Sequence, residues 1–348
     1  MKQRLSNIEL LRIVAMFFVL VRHANFYALG MPTPIEAQAN PSQTFLMSFL
    51  EIFAGVGVNV FVLISGYFGI RGNNKGLFKF IYQCLFFSCG IYLLLLSTGI
   101  INISFLGLAE CFYLRKINWF PKAYLCLYIL SPILNSFVEH SSERQLRVVL
   151  INYFIFQTIF GCISDSTTFI SFGYSTVSFI GLYLLARYVR LYSNEIFRLS
   201  KNIDFCIYCL ISLMLSYLAY EAISHGALSV FYRINAYCNP LVIMSSLCLF
   251  LCFSKINIKS RGINKIAASS FAVYLLHSNP NVIERFYIYI IQELSKLWGG
   301  IFYIFIFLIG VYILAIMIDQ MRIFSWNKLF MTHNGLFRPI PYLTAVSA

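Results

Sequence analysis

Long apolar runs follow one another along almost the whole chain, and they constrain the fold more than any other feature of the sequence. A helix needs about 20 mostly apolar residues to cross a bilayer. Ten stretches approach this length, although the fourth, fifth and eighth are short and Asn279-Pro280-Asn281 interrupts the ninth. The predicted spans are 8–29, 47–69, 77–99, 123–138, 147–163, 172–190, 204–223, 238–253, 266–291 and 300–320.

The composition excludes a soluble globular chain and a disordered one. Only 11% of the 348 residues are charged and 59% are hydrophobic, whereas soluble domains are about a quarter charged. Spans inside a bilayer must be helical, because an open sheet edge would leave backbone groups without hydrogen bonds. We therefore predict an all-α fold, a polytopic integral membrane bundle of about ten transmembrane helices in contact with the lipid bilayer. Residues 1–348 are predicted to form one domain.

The positive charge of the chain is explained by the membrane, and we expect no nucleic-acid partner. The formal net charge is +13, and Lys and Arg accumulate in the cytoplasmic loops of membrane proteins. With the N-terminus in the cytoplasm, the cytoplasmic segments carry 18 Lys and Arg residues and the outer loops carry six. Both termini are therefore predicted to be cytoplasmic.

The cysteines predict packing rather than a metal site. Most of the ten cysteines lie inside apolar runs, where a free thiol packs as a small hydrophobic group. Cys206 and Cys209 have the spacing of a metal or redox pair, but no second pair or histidine cluster completes a ligand set. We expect no metal.

The first span carries charged residues where a bilayer disfavours them. An ionisable side chain inside a span costs at least about 2.5 kcal/mol, which makes it a functional candidate. Arg12 and His23 are eleven residues apart, so they share one helix face and lie about 16 Å apart along the axis. This face predicts a polar cavity that holds a long ligand, with Arg12 near the cytoplasm and His23 in the outer half.

Structural explanations compete with this hypothesis. Arg12 can pair with Glu9 and reach the cytoplasmic headgroups, and His23 can be a hydrogen-bonded core residue. Arg22 points about 100° away from His23 on a helix, which favours a structural or headgroup role. His140, His225 and His333 are predicted to be surface residues.

Three segments resemble the membrane acyltransferase-3 family, and they occur in the family's order. The first is Leu-Leu-Arg-Ile-Val-Ala-Met-Phe-Phe-Val-Leu-Val-Arg-His at 10–23, in which ten residues separate Arg12 from His23. The second is Gly-Val-Gly-Val-Asn-Val-Phe-Val-Leu-Ile-Ser-Gly-Tyr at 55–67, and the third is Ser-Phe-Ala-Val-Tyr-Leu-Leu-His at 270–277. The middle of the chain, 100–260, resembles the family in topology alone.

The chain departs from the family pattern at two positions. Asn59 stands where the family usually has Asp, and Ile13 stands where Gly often follows the arginine. Without a carboxylate, Asn59 is given no acid–base role. We expect no SGNH-type esterase domain after the bundle, so the protein would complete the transfer itself or pass the acyl group to a separate partner.

The resemblance implies an acyltransferase of the bacterial inner membrane. Family members move an acyl group, commonly acetyl from acetyl-CoA, onto a sugar hydroxyl of a cell-surface polysaccharide or its lipid-linked precursor, of the O-antigen or capsule type. The resemblance implies that His23 and Arg12 are catalytic residues, with His23 acting as general base or forming an acyl-histidine. It implies a supporting set that orients the histidine or stabilises the oxyanion: Ser65, Tyr67, Tyr274 and His277. It also implies that the phosphates of acyl-CoA are bound by Arg12, Arg71 and Lys75.

Two other functions compete with acyl transfer. A flippase or transporter for lipid-linked oligosaccharide would also carry buried charges, but no internal duplication with paired broken helices is visible. A polysaccharide polymerase would be expected to hold arginines in large outer loops, and these loops contain little Arg. The acceptor sugar and the oligomeric state are not specified by the sequence.

Overall fold

The computed structural model describes residues 5–114, 118–164, 169–192 and 198–331. Every regular element in these ranges is a helix, which confirms the predicted all-α fold. The α-helices are α1 (Ser6–Arg22), α2 (Pro34–Ala39), α3 (Pro41–Gly55), α4 (Gly57–Phe68), α5 (Asn74–Ser97), α6 (Phe105–Cys111), α7 (Trp119–His140), α8 (Glu143–Thr158), α9 (Thr176–Tyr192), α10 (Lys201–Ser224), α11 (Leu228–Ile234), α12 (Pro240–Ser254), α13 (Arg261–Ala267), α14 (Ser270–His277), α15 (Pro280–Val282), α16 (Tyr289–Ser295) and α17 (Gly300–Trp326).

Several helices are long and apolar enough to cross a bilayer, so the chain is a multi-pass membrane protein. Within the described ranges there are six, and α12 is a shorter apolar helix. The predicted count of ten spans and the cytoplasmic position of both termini stay predictions. The six are Ser6–Leu29, Pro41–Phe68, Asn74–Ser97, Glu143–Ile163, Lys201–Ser224 and Gly300–Phe330.

The first span changes its helical form at His23. Helix α1 ends at Arg22 and continues as a π-helical segment, His23–Leu29, in which Asn25 has φ −79° and ψ −108°. A π segment widens the turn and is common at functional sites. Its effect here is that residues 22 to 25 do not follow the regular rotation of an α-helix.

Glycines bring α4 into close contact with the helices on either side of it. A Cβ atom on Gly57 would lie 2.7 Å from the carbonyl oxygen of Ala15 in α1. A Cβ atom on Gly66 would lie 2.6 Å from the carbonyl oxygen of Tyr183 in α9. Small residues at such crossings are typical of membrane helices, because they let two backbones approach.

The predicted span 266–291 is a broken helix. Helix α14 ends at His277, and a new turn begins at Pro280, with the side chain of Asn279 accepting a hydrogen bond from the N–H of Asn281. Proline lacks an N–H group and disfavours helix in the residue before it. The break leaves His277 at the end of a short helix, fully buried in the bundle.

Candidate active site

Two histidines from distant parts of the chain form a direct hydrogen bond. Nδ1 of His23 lies 2.9 Å from Nε2 of His277, and the two ring centroids are 5.1 Å apart. His23 is half-buried at the start of the π segment, and His277 is fully buried at the end of α14. Helices α1 and α14 pack against each other. We call His23 and His277 the histidine pair.

The protonation of the histidine pair follows from its hydrogen bonds. Nδ1 of His277 lies 2.6 Å from the carbonyl oxygen of Val273. A carbonyl oxygen only accepts, so Nδ1 of His277 carries a proton and Nε2 of the neutral ring is an acceptor. Nδ1 of His23 therefore donates to Nε2 of His277. In neutral His23 this leaves the lone pair on Nε2 as the proton-accepting site.

His23 lines a cavity of about 580 Å³. On α1 the lining extends from His23 back to Met16, which is about 10 Å along the axis. Arg12 lies one turn beyond Met16 and does not line this cavity. This cavity covers the His23 end of the face, and one cavity along the whole face from Arg12 to His23 stays a prediction.

An aromatic layer lies between the cavity and Arg12, and we call it the aromatic barrier: Phe80, Phe120, Tyr124, Phe271 and Tyr274. Phe120 is stacked on Tyr124 at 5.9 Å and 16°, and Phe271 on Tyr274 at 6.0 Å and 8°. Phe120, Phe271 and Tyr274 line the cavity. On the other side, Tyr124 lies within electrostatic range of Arg12. The barrier therefore borders the cavity with three of its rings and approaches Arg12 with Tyr124.

Arg22 lines the same cavity as His23, and of the two roles predicted for it, structural or headgroup, its contacts correspond to the structural one. Its Nε donates to Oε1 of Glu51 at 2.9 Å, and the two side chains are only 11% and 6% exposed. The guanidinium also lies 4.7 Å above the ring of Tyr237. The helical rotation placed Arg22 away from His23, yet both line one cavity because a long side chain can reach far from its Cβ direction toward a buried carboxylate.

Glu51 is the polar residue of the site that our sequence analysis missed. Its Oε1 also accepts from Asn235 at 3.4 Å, and its Oε2 accepts from Asn25 at 3.1 Å. Its position in the sequence indicates this role, because Glu51 is a carboxylate inside the predicted span 47–69. Like the charged residues of the first span, it is a functional candidate.

The predicted donor-binding residues are separate from the histidine pair. Nη1 of Arg12 lies 3.0 Å from Oε2 of Glu9, the ion pair that our sequence analysis weighed as a structural alternative. Arg71, in the connection between α4 and α5, and Lys75, in the first turn of α5, are exposed. Exposed cations of this kind can meet a polyanion from solvent.

The predicted supporting residues lie in three different places. Tyr274 lines the cavity, and its ring is perpendicular to that of His277 at 6.0 Å. Ser65 donates to the carbonyl of Phe61, and its hydroxyl lies 3.1 Å from that of Tyr124. The hydroxyl of Tyr67 accepts from Nη1 of Arg190 at 3.0 Å. Thus Tyr274 joins the histidine pair, whereas Ser65 and Tyr67 do not line its cavity.

Asn59, which stands at the position of the Asp in the family-like segment, makes a hydrogen bond to the backbone. Asn59 is fully buried, and its Nδ2 donates to the carbonyl of Tyr237 at 2.9 Å. Tyr237 in turn lines the cavity beneath Arg22. Among the described residues, no three His, Cys, Asp or Glu side chains form a cluster that could hold a metal ion.

Comparison with protein-family models identifies the family of this chain. A model for an acyltransferase domain of the acyltransferase-3 type matches residues 5–319, which is nearly the whole chain. The chain belongs to the acyltransferase-3 family. Membership implies a membrane acyltransferase, and the match includes both members of the histidine pair. No curated protein and no solved structure matches this acyltransferase-3 chain.

Proposed function

We propose that this protein is an O-acyltransferase that moves an acetyl group from acetyl-CoA to a sugar hydroxyl. The acceptor would be a cell-surface polysaccharide or its lipid-linked precursor, and the site of action the bacterial inner membrane. The observation that carries this proposal is the ordered hydrogen-bond chain from Val273 through His277 to His23. It presents one imidazole at a cavity with its proton-accepting nitrogen defined, as general-base catalysis requires.

The transfer requires one proton to move from the acceptor hydroxyl to His23 and then to the sulfur of CoA. Nε2 of His23 accepts the proton of the acceptor hydroxyl, while the hydroxyl oxygen attacks the thioester carbonyl carbon. The carbon–sulfur bond then breaks, and the sulfur of CoA takes the proton from His23 as it leaves. His277 keeps the His23 ring in one orientation throughout, because its Nε2 accepts the Nδ1–H of His23 in both protonation states.

The donor and the acceptor would approach the histidine pair from opposite ends of α1. Arg12, Arg71 and Lys75 are cations toward the predicted cytoplasmic side, where acyl-CoA is found, and we assign them to its phosphates. The cavity at the other end of α1 is large enough for a sugar residue and has aromatic walls with few polar groups, as small-molecule sites commonly do. The acyl group would have to pass the aromatic barrier to reach His23.

The test measures acetyl transfer in membranes that contain matched amounts of the wild type, His23→Ala or His225→Ala. His225 is an exposed residue paired with Glu221 and serves as the control. Radiolabelled acetyl-CoA and the host glycan are supplied, and label released by mild base is counted. We expect label in the wild type and in His225→Ala, and its loss in His23→Ala with the glycan unchanged in length and amount.

Four outcomes would contradict the proposal. Label retained by His23→Ala would remove His23 from the mechanism while leaving the reaction intact. A change in glycan length would favour a polymerase, and a loss of exported glycan a flippase. Absence of label in every sample, with longer acyl-CoA donors also inactive, would reject acyl transfer to this glycan.

A further inference from the structure

The cavity beside His23 contains a compensated ion pair. Among the described residues that line it, Arg22 and Glu51 are the ones with a formal charge at neutral pH apart from the titratable His23. Their charges cancel, and both side chains are nearly buried. Burial of an unpaired charge has a high free-energy cost, so a charged ligand would need a protein group of opposite charge beside it. Arg22 and Glu51 already neutralise each other and do not provide such a group.

The carboxylate of Glu51 is fully engaged on both oxygens. Oε1 accepts from Arg22 and Asn235, and Oε2 accepts from Asn25. These donors hold the carboxylate in place. The amide of Asn235 also lines the cavity, and its oxygen can accept a hydrogen bond from a hydroxyl group. Arg22 is also engaged twice, because its Nε donates to Glu51 and its Nη1 donates to the carbonyl oxygen of Gly55 at 3.5 Å. The polar part of the wall is therefore suited to hydroxyl groups rather than to a second carboxylate.

Three aromatic rings form the adjoining part of the wall. The centroids of Trp119 and Tyr174 are 4.8 Å apart, those of Tyr174 and Tyr237 are 4.7 Å apart, and Tyr237 lies beneath Arg22. All three rings line the cavity. The C–H face of a pyranose is apolar and its rim is polar, so a sugar can stack on such rings while its hydroxyls reach the polar wall.

We propose that the cavity selects an uncharged pyranose as acceptor and discriminates against uronic and other acidic sugars. This inference rests on the proposed function, since it names the acceptor class of the same site. The aromatic wall of Trp119, Tyr174 and Tyr237 contacts the apolar C–H groups of the sugar, and the Arg22–Glu51 pair sets the charge specificity. An acidic sugar would bring its carboxylate beside Glu51, and the repulsion is not offset because Arg22 is already paired.

The first part of the test measures binding without any acyl donor. Trp298→Phe and Trp326→Phe leave Trp119 as the one tryptophan of the three in the chain, so its fluorescence reports on the cavity. The probes are methyl glucoside and methyl galactoside, each compared with its uronide. We expect each neutral glycoside to bind at least about tenfold more tightly than its uronide, a difference of about 1.4 kcal/mol.

The second part changes the charge of the pair. Glu51→Gln keeps the shape of the side chain and leaves the positive charge of Arg22 without its partner. The preference for neutral glycosides should then fall to about threefold or less, or reverse. This is a change of at least about 0.7 kcal/mol in the difference between the binding free energies. Glu293→Gln removes an exposed carboxylate, paired with Lys296, and should leave the ratio unchanged. Because the readout is a ratio within one sample, it does not depend on the fraction of folded protein.

The protein with Trp119 as its single tryptophan and Glu51 intact can by itself overturn the proposal. Equal or tighter binding of the uronides would show that Arg22 recruits acidic sugars, and no response to either neutral glycoside would show that the aromatic wall is not a sugar site. A failure of the proposed function gives a different result. In that case the glycosides would bind with the expected preference, while membranes would transfer no acetyl group.

Discussion

Nδ1 of His23 lies 2.9 Å from Nε2 of His277, although the two residues are 254 positions apart in the chain. The third member of this hydrogen-bond chain is the carbonyl of Val273, where a serine-protease triad has a carboxylate. A carbonyl defines the tautomer of His277 as firmly as a carboxylate does, but it carries no charge. The pair can therefore orient a general base without a buried acid beside it.

Substitution of His277 should slow the chemical step more than it weakens substrate binding. His277→Ala removes the acceptor for Nδ1–H of His23, so the ring of His23 loses its orientation. We expect kcat for acetyl transfer to fall by about 100-fold, with KM within about twofold, because positioned proton transfer contributes about 10² to 10⁴ in rate. The rates are measured with purified protein, acetyl-CoA and the acceptor glycan.

His277→Gln provides a partial rescue of the same interaction. Its amide oxygen can accept the Nδ1–H of His23, so kcat should recover to within about tenfold of the wild type, inside the range attributed to one positioned proton transfer. His140→Ala, at an exposed histidine, serves as the control. Wild-type kcat in His277→Ala would show that the hydrogen bond has no catalytic role.

Glu9→Gln should improve the use of acyl-CoA if Arg12 binds its phosphates. Glu9 occupies Arg12 at 3.0 Å and competes with any anionic ligand. Removal of one negative charge at this distance is worth about 1 kcal/mol in water-like surroundings, so KM for acetyl-CoA should fall about fivefold with kcat unchanged. Glu143→Gln, which disrupts an exposed pair with Arg147, should change neither constant. A raised KM in Glu9→Gln would instead indicate that Glu9 holds Arg12 in its binding position.

The aromatic barrier should limit the length of the acyl group. Phe271 lines the cavity and stacks on Tyr274, which lies beside His277. Phe271→Ala opens space there, and a pocket distinguishes one methylene by about tenfold or more. We expect the rate ratio of butyryl-CoA to acetyl-CoA to rise at least about tenfold. Phe305→Ala, at a half-exposed ring of α17, is the control, and an unchanged ratio in Phe271→Ala would show that the acyl group takes another path.

Gly66→Ala should destabilise the bundle, whereas Gly90→Ala should not. A Cβ atom on Gly66 would lie 2.6 Å from a backbone oxygen of Tyr183 and 2.8 Å from Cβ of Ala186, so α4 and α9 would have to separate. Overpacking of this kind costs about 1 to 3 kcal/mol. Gly90 has no heavy atom within 4 Å of the corresponding position. Thermal unfolding in detergent should show a lower midpoint for Gly66→Ala alone, and equal midpoints would contradict the close packing.

The helices were predictable because their cause is local. Each predicted stretch overlaps helix in the structure, since an apolar segment in a bilayer satisfies its backbone groups by forming a helix. The interruption of the ninth stretch was also predictable, because a proline has no N–H group and cannot continue a helix, and Pro280 begins a new turn. The residues of the three family-like segments were likewise readable from the sequence.

Which of these residues meet was decided by tertiary packing. Periodicity put Arg12 and His23 on one face of a regular helix, but a π segment begins at His23, and Arg12 does not line the cavity beside it. His23 contacts His277, and Arg22 contacts Glu51. Each contact joins two helices that are separate in the sequence, and residue spacing within one helix cannot predict it. The sequence by itself determined a helical membrane protein with an arginine and a histidine in its first span. Only the folded bundle determined that His23 would be oriented by a second histidine, because side-chain partners depend on how the helices pack.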